Sequence, residues 1–417
     1  MRPIKQIFYG WKIVLASVII LAVGLGMFNS TNSVFVIPVC SSLGCSRSQF
    51  TLHRTIITLT SACLLPFFSK VIVRLGVKKT LLTGSIMLGS VIIGFSFAGS
   101  LWHFYLLAFV YGIFYSAVNF MIIGILIGRW FDDRKGLAIG LAYSGSGLGS
   151  AVMIPVLNNV IERTDWRFAY RFLGAVGLAI LIPIVIIVIH ETPEKIGLKP
   201  FTSEKTDRDR KKEDAVPYIN LSLSQSTRTI RFWLLLTAFF LITVFAASTN
   251  THSTPFLQDL GYPGAKVSTV ISLFMVFLTV GKILLGLIYD RFGAMAGNLF
   301  IIACSLVFPV AALLSHIPLF PWIYAVTVGT ASCGVSVPLP ILITRYFGKK
   351  DYPAIFSLFT MTTTLGMAVS VPAMGAVYDF TGSYRPAWAA LFIFSIIISI
   401  CLILPEIAYR KGQAKLG

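Results

Sequence analysis

Charged residues are scarce in this chain of 417 residues. Asp, Glu, Lys and Arg together make up 12% of it, whereas hydrophobic residues make up 56%. A soluble domain carries about 25% charged residues. This shortage excludes an ordinary soluble domain. Together with a mean hydropathy of +0.84, it predicts an all-α membrane protein built of spanning helices.

Acidic residues are the rarer of the two charge types, with 16 Asp and Glu against 34 Lys and Arg. The net charge of +18 does not indicate nucleic-acid binding, because the basic residues lie in short loops between apolar runs. Positive loops on one side of a membrane are the simpler cause. The acids fall in loops or at the ends of runs, so we expect no buried carboxylate.

Signatures of catalysis and of cofactor binding are also missing from the apolar runs. They hold no paired acids, no His-Glu-x-x-His and no plausible nucleophile–base set. We therefore expect no enzyme activity and neither a metal nor another cofactor. Cys40 and Cys45 share one predicted outer loop, but their spacing alone does not decide whether they form a disulfide.

About twelve apolar runs are long enough to cross a bilayer as helices. They cover residues 11–36, 50–73, 80–98, 102–128, 137–161, 168–189, 232–256, 267–289, 297–314, 320–343, 354–377 and 388–404. A polar segment with charges of both signs separates the first six runs from the last six. This division predicts two six-helix bundles, at 1–189 and 231–417, joined by a linker at 190–230.

Lys and Arg in alternate loops predict the orientation of the spans. The richer set of basic loops lies on the side of the N-terminus, and it includes Arg129, Arg134 and Lys135. Both termini should therefore be cytoplasmic. We expect a monomeric, multi-pass protein of the plasma membrane, which in a bacterium is the inner membrane, in contact with membrane lipid.

Lys282 is the main candidate for a binding residue because it lies near the middle of the eighth run. A charge at membrane depth is costly and is usually functional. One reading is that its ammonium group binds a carboxylate in a water-filled cavity. The other is that the side chain extends to the cytoplasmic interface. Asp290 lies about 12 Å further along the helix, so that extension is strained, and we favour the cavity.

Other polar residues in the runs are candidates for contacting a substrate. Arg54 is a second cation near the outer end of its run, where it either guides anions or reaches the interface. His53 is the candidate for proton coupling, because imidazole titrates near neutral pH. A spacing of four residues places Tyr111, Tyr115 and Asn119 on one helical face. Further candidates are Asn29, Asn32 and Tyr143. The alternative role for such residues is to hold helices together.

The segment Gly286-x-x-x-Asp290-Arg291-x-Gly293 resembles the loop motif of the major facilitator superfamily. Several other segments resemble the oxalate–formate antiporter and monocarboxylate transporter group within that superfamily. They are Tyr9-Gly10-Trp11, Ser46-Arg47-Ser48, Arg129-Trp130-Phe131 with the residues up to Gly140, Asp165-Trp166-Arg167 and Arg231-Phe232-Trp233-Leu234. The resemblance implies twelve transmembrane helices in two bundles and transport by alternating access. It also implies that Gly286, Asp290, Arg291, Gly293, Arg129, Arg134 and Lys135 form a conformational loop motif.

The resemblance also bears on the site. That group carries a cation in its eighth span, usually arginine, four residues before a glycine, as Lys282 precedes Gly286 here. Leu278 stands where monocarboxylate carriers usually have an aspartate, and the eleventh run lacks the second cation of the oxalate carriers. The chain is thus expected to carry small organic anions, monocarboxylates in particular, as symporter, antiporter or uniporter. The alternatives are an efflux transporter for amphipathic drugs or larger organic acids, and a receptor that does not transport.

Overall fold

The computed structural model describes residues 8–202, 220–313 and 319–414, and almost all of them are helical. Within these ranges, the one β-type contact is an isolated bridge between Phe131 and Phe201. Residues 203–219, which form much of the predicted linker, lie outside the described residues. The prediction of a nearly all-helical chain is confirmed.

The α-helices are numbered here in chain order. In the first part they are α1 Tyr9–Leu21, α2 Asn32–Leu43, α3 Arg47–Leu75, α4 Val77–Phe95, α5 Leu101–Tyr115, α6 Phe120–Trp130, α7 Lys135–Arg163 and α8 Trp166–Pro183. In the second part they are α9 Leu223–Thr227, α10 Ile230–Asp259, α11 Gly264–Leu313, α12 Phe320–Ser332, α13 Pro338–Phe347, α14 Tyr352–Thr381 and α15 Arg385–Ala414. Short π-helical turns at Ala22–Met27 and Ile184–Val188 extend α1 and α8.

Nine helical segments in the described ranges are long and apolar enough to cross a membrane, or eleven if two bent pairs each count as one span. The bent pairs are Gln49–Leu65 with Phe67–Leu75, and Phe320–Val335 with Pro338–Phe347. Helix α11 contains the predicted eighth and ninth runs, and Gly293, with φ 80° and ψ 179°, interrupts its helical geometry. The chain is therefore a multi-pass membrane protein.

The described residues divide into two compact units. The first draws on Met1–Asp133 and Leu141–Thr202, and the second on Arg134–Gly140 and Ser203–Gly417. In the first, α3 packs on α5, and α4 packs on α5 and α8. In the second, α11 packs on α12 and α15, and α10 packs on α14 and α15. The boundaries at 189/190 and 230/231 stay predictions.

Glycines allow the closest helix contacts of the first unit. A Cβ atom on Gly145 would lie 2.1 Å from the carbonyl oxygen of Val18, and one on Gly149 would lie 1.8 Å from that of Ala22. Helix α7 can therefore approach α1 at backbone distance only because both side chains are absent. The glycine-rich start of the fifth run is a packing surface, as is common between membrane helices.

The described parts of the predicted linker are hydrogen-bonded to the units. In the first unit, the Phe201 N–H donates to the Trp130 carbonyl at 2.8 Å. In the second, the Leu221 N–H donates to the Phe347 carbonyl at 2.9 Å. Trp130 and Phe347 belong to two segments with the same pattern of Arg, an aromatic residue and Phe. These segments are Arg129-Trp130-Phe131 and Arg345-Tyr346-Phe347.

Glu191 holds the start of the linker against α4. One oxygen accepts the Lys78 N–H at 3.1 Å, and the other lies 2.6 Å from the Lys195 ammonium group. Partial burial would raise the pKa of this carboxyl group, but these two contacts and the charge of Arg129 outweigh burial and leave the pKa below its ordinary value.

We predict that Glu191→Gln lowers the thermal unfolding temperature at pH 7 and flattens its dependence on acid pH. Because the folded-state pKa is lowered, the stabilisation is present above the unfolded pKa of about 4.3 and is lost as the pH falls through the folded value. The effect should stay below about 1 kcal/mol, since Lys195 is largely exposed. Melting curves between pH 7 and pH 3.5 test this, with the exposed neighbour Glu194→Gln as control. An equal pH profile in all three proteins would contradict it.

Candidate functional site

The first span is broken at the position of its polar residues. Helical geometry ends after the π-turn Ala22–Met27 and resumes at Asn32. The break exposes the Asn29 carbonyl, which accepts a hydrogen bond from Arg54 Nη1 at 2.9 Å. The Asn29 amide donates to the Tyr115 hydroxyl at 3.2 Å. The structure thus joins three of the predicted site residues, Asn29, Arg54 and Tyr115, in one network.

The fourth span is broken as well, which corrects the predicted shared face of Tyr111, Tyr115 and Asn119. Helix α5 ends at Tyr115, and Asn119 has extended backbone as the N-cap of α6. Tyr111 and Tyr115 do share a face, with ring centroids 5.9 Å apart. The Asn119 side chain instead accepts the Met121 N–H at 2.9 Å.

Tyr143 supports the same break rather than an open surface. Its hydroxyl donates to the Phe120 carbonyl at 2.7 Å, and the whole side chain is buried. Because the start of a helix leaves N–H groups without intrahelical partners, the Asn119 side chain supplies the acceptor for one of them, and Tyr143 ties the first residue of α6 to α7. These two residues hold the shape of the site.

His53 is buried among the rings of Phe50, Phe95 and Phe104. Its Nδ1 lies 2.5 Å from the Phe50 carbonyl oxygen, and its Nε2 lies 2.9 Å from the Asn32 amide nitrogen. A carbonyl only accepts, so Nδ1 carries the proton. In the neutral ring Nε2 then accepts from Asn32.

A small cavity lies beside these residues in the first unit. Its volume is about 10 Å³, which is about the room needed for one water molecule. Polar side chains line part of its wall, and apolar side chains from α2, α3, α4 and α8 complete it. The polar lining residues are Asn29, Thr31, Asn32, Tyr111 and Tyr170.

Lys282 lies in α11 of the second unit, and its side chain is only 7% exposed. It is therefore enclosed by protein rather than placed on the outer surface of the helix. The Cys333 thiol hydrogen-bonds to the carbonyl of Leu278, one helical turn before Lys282, at 3.2 Å. A Cβ atom on Gly140 would lie 2.4 Å from the Lys282 carbonyl oxygen, so the backbone at Lys282 is closely packed.

The loop motif forms a second close contact in this unit. The two carboxylate oxygens of Asp290 accept the N–H groups of Gly136 and Leu137, both at 2.7 Å, at the start of α7. These N–H groups have no intrahelical partner, and a negative charge at a helix N-terminus also interacts favourably with the helix dipole. Gly136 and Gly286 meet at backbone distance, since a Cβ atom on Gly286 would lie 2.1 Å from the Gly136 carbonyl oxygen.

The other motif residues have different surroundings. Lys135 donates to the Thr344 hydroxyl at 2.9 Å. Arg134 adopts a left-handed backbone with φ 56° directly before α7. Arg291 lies over the ring of Phe292, and Arg129 is exposed near Glu191. The structure thus brings Gly286, Asp290 and the first residues of α7 together, but not every residue of the motif.

The expectation of no buried carboxylate is wrong at Glu406. This residue is 0% exposed and lies inside the candidate span Arg385–Arg410. It pairs with Arg345 through two hydrogen bonds at 2.9 and 3.1 Å, accepts the Tyr346 hydroxyl at 2.7 Å and accepts Arg410 Nε at 2.9 Å. The available signal in the sequence was Arg410, one helical turn after Glu406.

We predict that Gly286→Ala lowers the free energy of unfolding by about 1–3 kcal/mol, because the new methyl group overlaps the Gly136 backbone. The measurement is thermal unfolding of the purified protein in detergent. Gly99→Ala is the matched control, because a Cβ atom on Gly99 would meet no heavy atom within 4 Å. It should change stability by less than about 0.5 kcal/mol. Equal melting temperatures for the two variants would contradict the close contact.

We predict that Glu406→Gln lowers the free energy of unfolding by about 3–5 kcal/mol, because it leaves the buried side of Arg345 without its counter-charge. Glu162→Gln, at an exposed position on α7, should change the unfolding temperature little. The pair of variants is compared by the same melting assay. A Glu406→Gln protein as stable as the parent would show that the carboxylate is not needed in its charged form.

Comparison with known proteins gives the family. The profile of the Major Facilitator Superfamily matches residues 18–339. Monocarboxylate transporter 12 of Rattus norvegicus is 26% identical over 98% of this chain and 87% of its own length. The oxalate:formate antiporter of Oxalobacter formigenes is 25% identical over 63% of this chain and 59% of its own length.

Solved structures give the fold. A crystal structure of the major facilitator transporter FucP in the outward conformation superposes with a TM-score of 0.69 at 13% identity, covering 94% of this chain and 98% of FucP. At that identity the likeness concerns the fold alone. The matched profile covers most of the chain and agrees with the loop motif around Asp290, so this chain belongs to the major facilitator superfamily and is a membrane transporter.

Proposed function

We propose that the chain is a secondary transporter of small organic anions, specifically monocarboxylates, and that Lys282 binds the carboxylate. The observation that carries the proposal is the enclosed position of this cation, 7% exposed in the middle of an apolar helix. Enclosing an ammonium group is costly in a membrane protein and is seldom kept without a function. A bound carboxylate would offset part of that cost through an ion pair.

The network in the first unit supports an anionic substrate as well. The Arg54 guanidinium group donates to the Asn29 carbonyl and approaches the Asn29 side-chain oxygen at 3.5 Å, which are both neutral acceptors. Its charge is therefore not neutralised by these contacts. Tyr115, through its hydroxyl, and Asn29 supply further polar groups for orienting an acid.

The names of the relatives are consistent with this class of substrate. One is a monocarboxylate transporter and another is an oxalate:formate antiporter. Carboxylates are common to both names, and a cation in the eighth span is the feature that this chain shares with that group. The mode of transport, whether uniport, symport or exchange, is a separate question. His53 is the candidate residue for coupling transport to protons.

The mechanism proposed is alternating access in a plasma-membrane protein that acts as a monomer. The proposed topology has twelve spans with both termini in the cytoplasm. That number is reached if α11 crosses twice, once on each side of Gly293, and if each bent pair crosses once. The Asp290 contact at the start of α7 would then break and form during the cycle.

The test is uptake of labelled lactate, formate, oxalate and larger acids into proteoliposomes. We expect uptake or exchange of at least one monocarboxylate. Lys282→Gln should lower it about tenfold or more, because the carboxylate loses its counter-charge. Lys282→Arg keeps the charge and should retain measurable uptake.

Lys266→Gln is the matched control, since Lys266 lies on the same helix with its ammonium group over the Tyr262 ring. It should transport like the parent protein. Failure of the folded parent to move any carboxylate would overturn the function. Full activity in Lys282→Gln would overturn the site alone.

A further inference from the structure

A cavity of about 320 Å³ lies at one end of the second unit. It is placed where α10 ends at Asp259, where α14 ends at Thr381 and where α15 begins at Arg385. All three helices contain candidate membrane spans, and the cavity is at the ends opposite to the C-terminus. Its volume is within the range of about 300–1,000 Å³ that is typical of small-molecule sites. We call it the end cavity.

Buried aromatic rings form one wall of the end cavity. Phe256 is 5% exposed and Tyr384 is 7% exposed, and their ring centroids are 5.9 Å apart. The Tyr378 ring lies against Tyr384, with centroids 4.5 Å apart. Leu260 and Ala312 complete the apolar part of the lining. The cavity therefore has an apolar wall, and its charged groups are elsewhere in the lining.

The Tyr384 ring is held in place from α10. Its hydroxyl lies 3.2 Å from His252 Nδ1, and His252 Nε2 lies 3.1 Å from the Val371 carbonyl oxygen. A carbonyl only accepts, so Nε2 carries the proton, and in the neutral ring Nδ1 accepts from the tyrosine hydroxyl. The aromatic wall is thus fixed by the protein itself.

Two side chains of opposite charge line the end cavity, Asp259 and Arg385. Both are exposed, and no ion pair joins them in the described part of the chain. Asp259 interacts with the Tyr378 hydroxyl, which is a neutral group, so its charge is not cancelled there. Opposite charges that share a cavity without pairing are complementary to a ligand that carries both charges.

The loop between α14 and α15 fixes the backbone of Arg385. Gly382 ends α14 in a left-handed conformation with φ 67°. The Ser383 N–H then donates to the Thr381 hydroxyl at 3.3 Å, and the Arg385 N–H donates to the Ser383 hydroxyl at 3.2 Å. The start of α15 is therefore capped, while the guanidinium group at this position is exposed to a ligand.

The chemistry of the two side chains defines the ligand. A carboxylate accepts hydrogen bonds, so Asp259 suits a primary ammonium group, whereas a trimethylammonium group has no N–H to donate. The planar guanidinium group of Arg385 suits a phosphate or a carboxylate. A phosphoethanolamine headgroup carries an ammonium group and a phosphate on one short chain. A free amino acid carries the same two charges.

The position of the cavity favours a lipid over a free amino acid. The ends of membrane spans lie at the level of the lipid headgroups. Phe380, one turn before the loop that lines the cavity, is 89% exposed, and Trp322 near the start of α12 is 41% exposed. Exposed aromatic side chains at span ends are typical of the membrane interface. A lipid can therefore place its headgroup in the cavity and its acyl chains along the neighbouring apolar surface.

We propose that the end cavity is a lipid site that binds the headgroup of phosphatidylethanolamine, with its ammonium group on Asp259 and its phosphate on Arg385. In the topology proposed above, this lipid belongs to the outer leaflet. All the residues involved belong to the second unit. The inference does not depend on Lys282 or on the identity of the substrate.

The test is native mass spectrometry of the full-length protein in detergent, with phosphatidylethanolamine and phosphatidylglycerol at equal concentrations and with the same acyl chains. Phosphatidylglycerol has the phosphate but no ammonium group. We expect the parent protein to retain phosphatidylethanolamine about fivefold more often. Asp259→Asn should reduce this ratio to below about twofold, whereas Asp259→Glu keeps the charge and should keep most of the preference.

Arg385→Gln should have a different effect, because the phosphate is common to both lipids. It should lower the occupancy of each lipid about fivefold and leave phosphatidylethanolamine preferred. Asp379→Asn and Lys266→Gln are the matched controls. Asp379 is an exposed acid at the same end of α14 that does not line the cavity, and Lys266 has its ammonium group over the Tyr262 ring. Both variants should bind lipids like the parent protein.

Two further lipids and ligands identify the source of the charges. Phosphatidylcholine should bind less than phosphatidylethanolamine, and equal occupancy would overturn the assignment of a primary ammonium group. Free serine at the same concentration should not displace the bound lipid, and displacement would overturn the lipid as the occupant. An unchanged lipid ratio in a folded Asp259→Asn protein would overturn the site itself. Because the assay measures binding, none of these results depends on whether the protein transports monocarboxylates.

Discussion

Every break in a membrane helix creates backbone groups that lipid cannot satisfy, and this constraint governs the site of the first unit. At the break of the first span, Arg54 satisfies the Asn29 carbonyl. At the break of the fourth, Asn119 satisfies the Met121 N–H at the start of α6. The side chains that repair the backbone are therefore among those first suspected of binding substrate. Only those with polar atoms left over after this repair can also recognise a ligand.

Acidic and basic residues have different roles in this chain. Two acids make structural contacts: Glu406 is held by Arg345 and Arg410, and Asp290 binds the start of α7. The cations with a proposed role in binding, Arg54 and Lys282, belong to different units. In a chain with few acids, each carboxylate that is committed to structure leaves fewer to compete with an incoming anion.

Much of the fold was predictable from the sequence, because long apolar runs and basic loops depend on the membrane rather than on tertiary detail. The arrangement of the site was less predictable from the sequence. Periodicity places Asn119 on the face of Tyr111, but the helix ends at Tyr115 and no residue pattern marked that end. Glu406 looked like a residue of a span end, and only three-dimensional packing shows that three donors enclose it. The orientation of Asn32 depends on a histidine twenty-one positions away.

The two glycine contacts of the second unit have a mechanical consequence. Gly136 meets Gly286, and Gly140 meets the carbonyl of Lys282, so the start of α7 runs antiparallel to this part of α11. Two contacts at successive turns fix the register as well as the separation. Sliding by one residue would drive a side chain into a backbone at both points. The first turns of α7 and the helix segment carrying Lys282 must therefore move together as a rigid pair or separate completely. Their contact thus has two states, formed or broken, with no intermediate register.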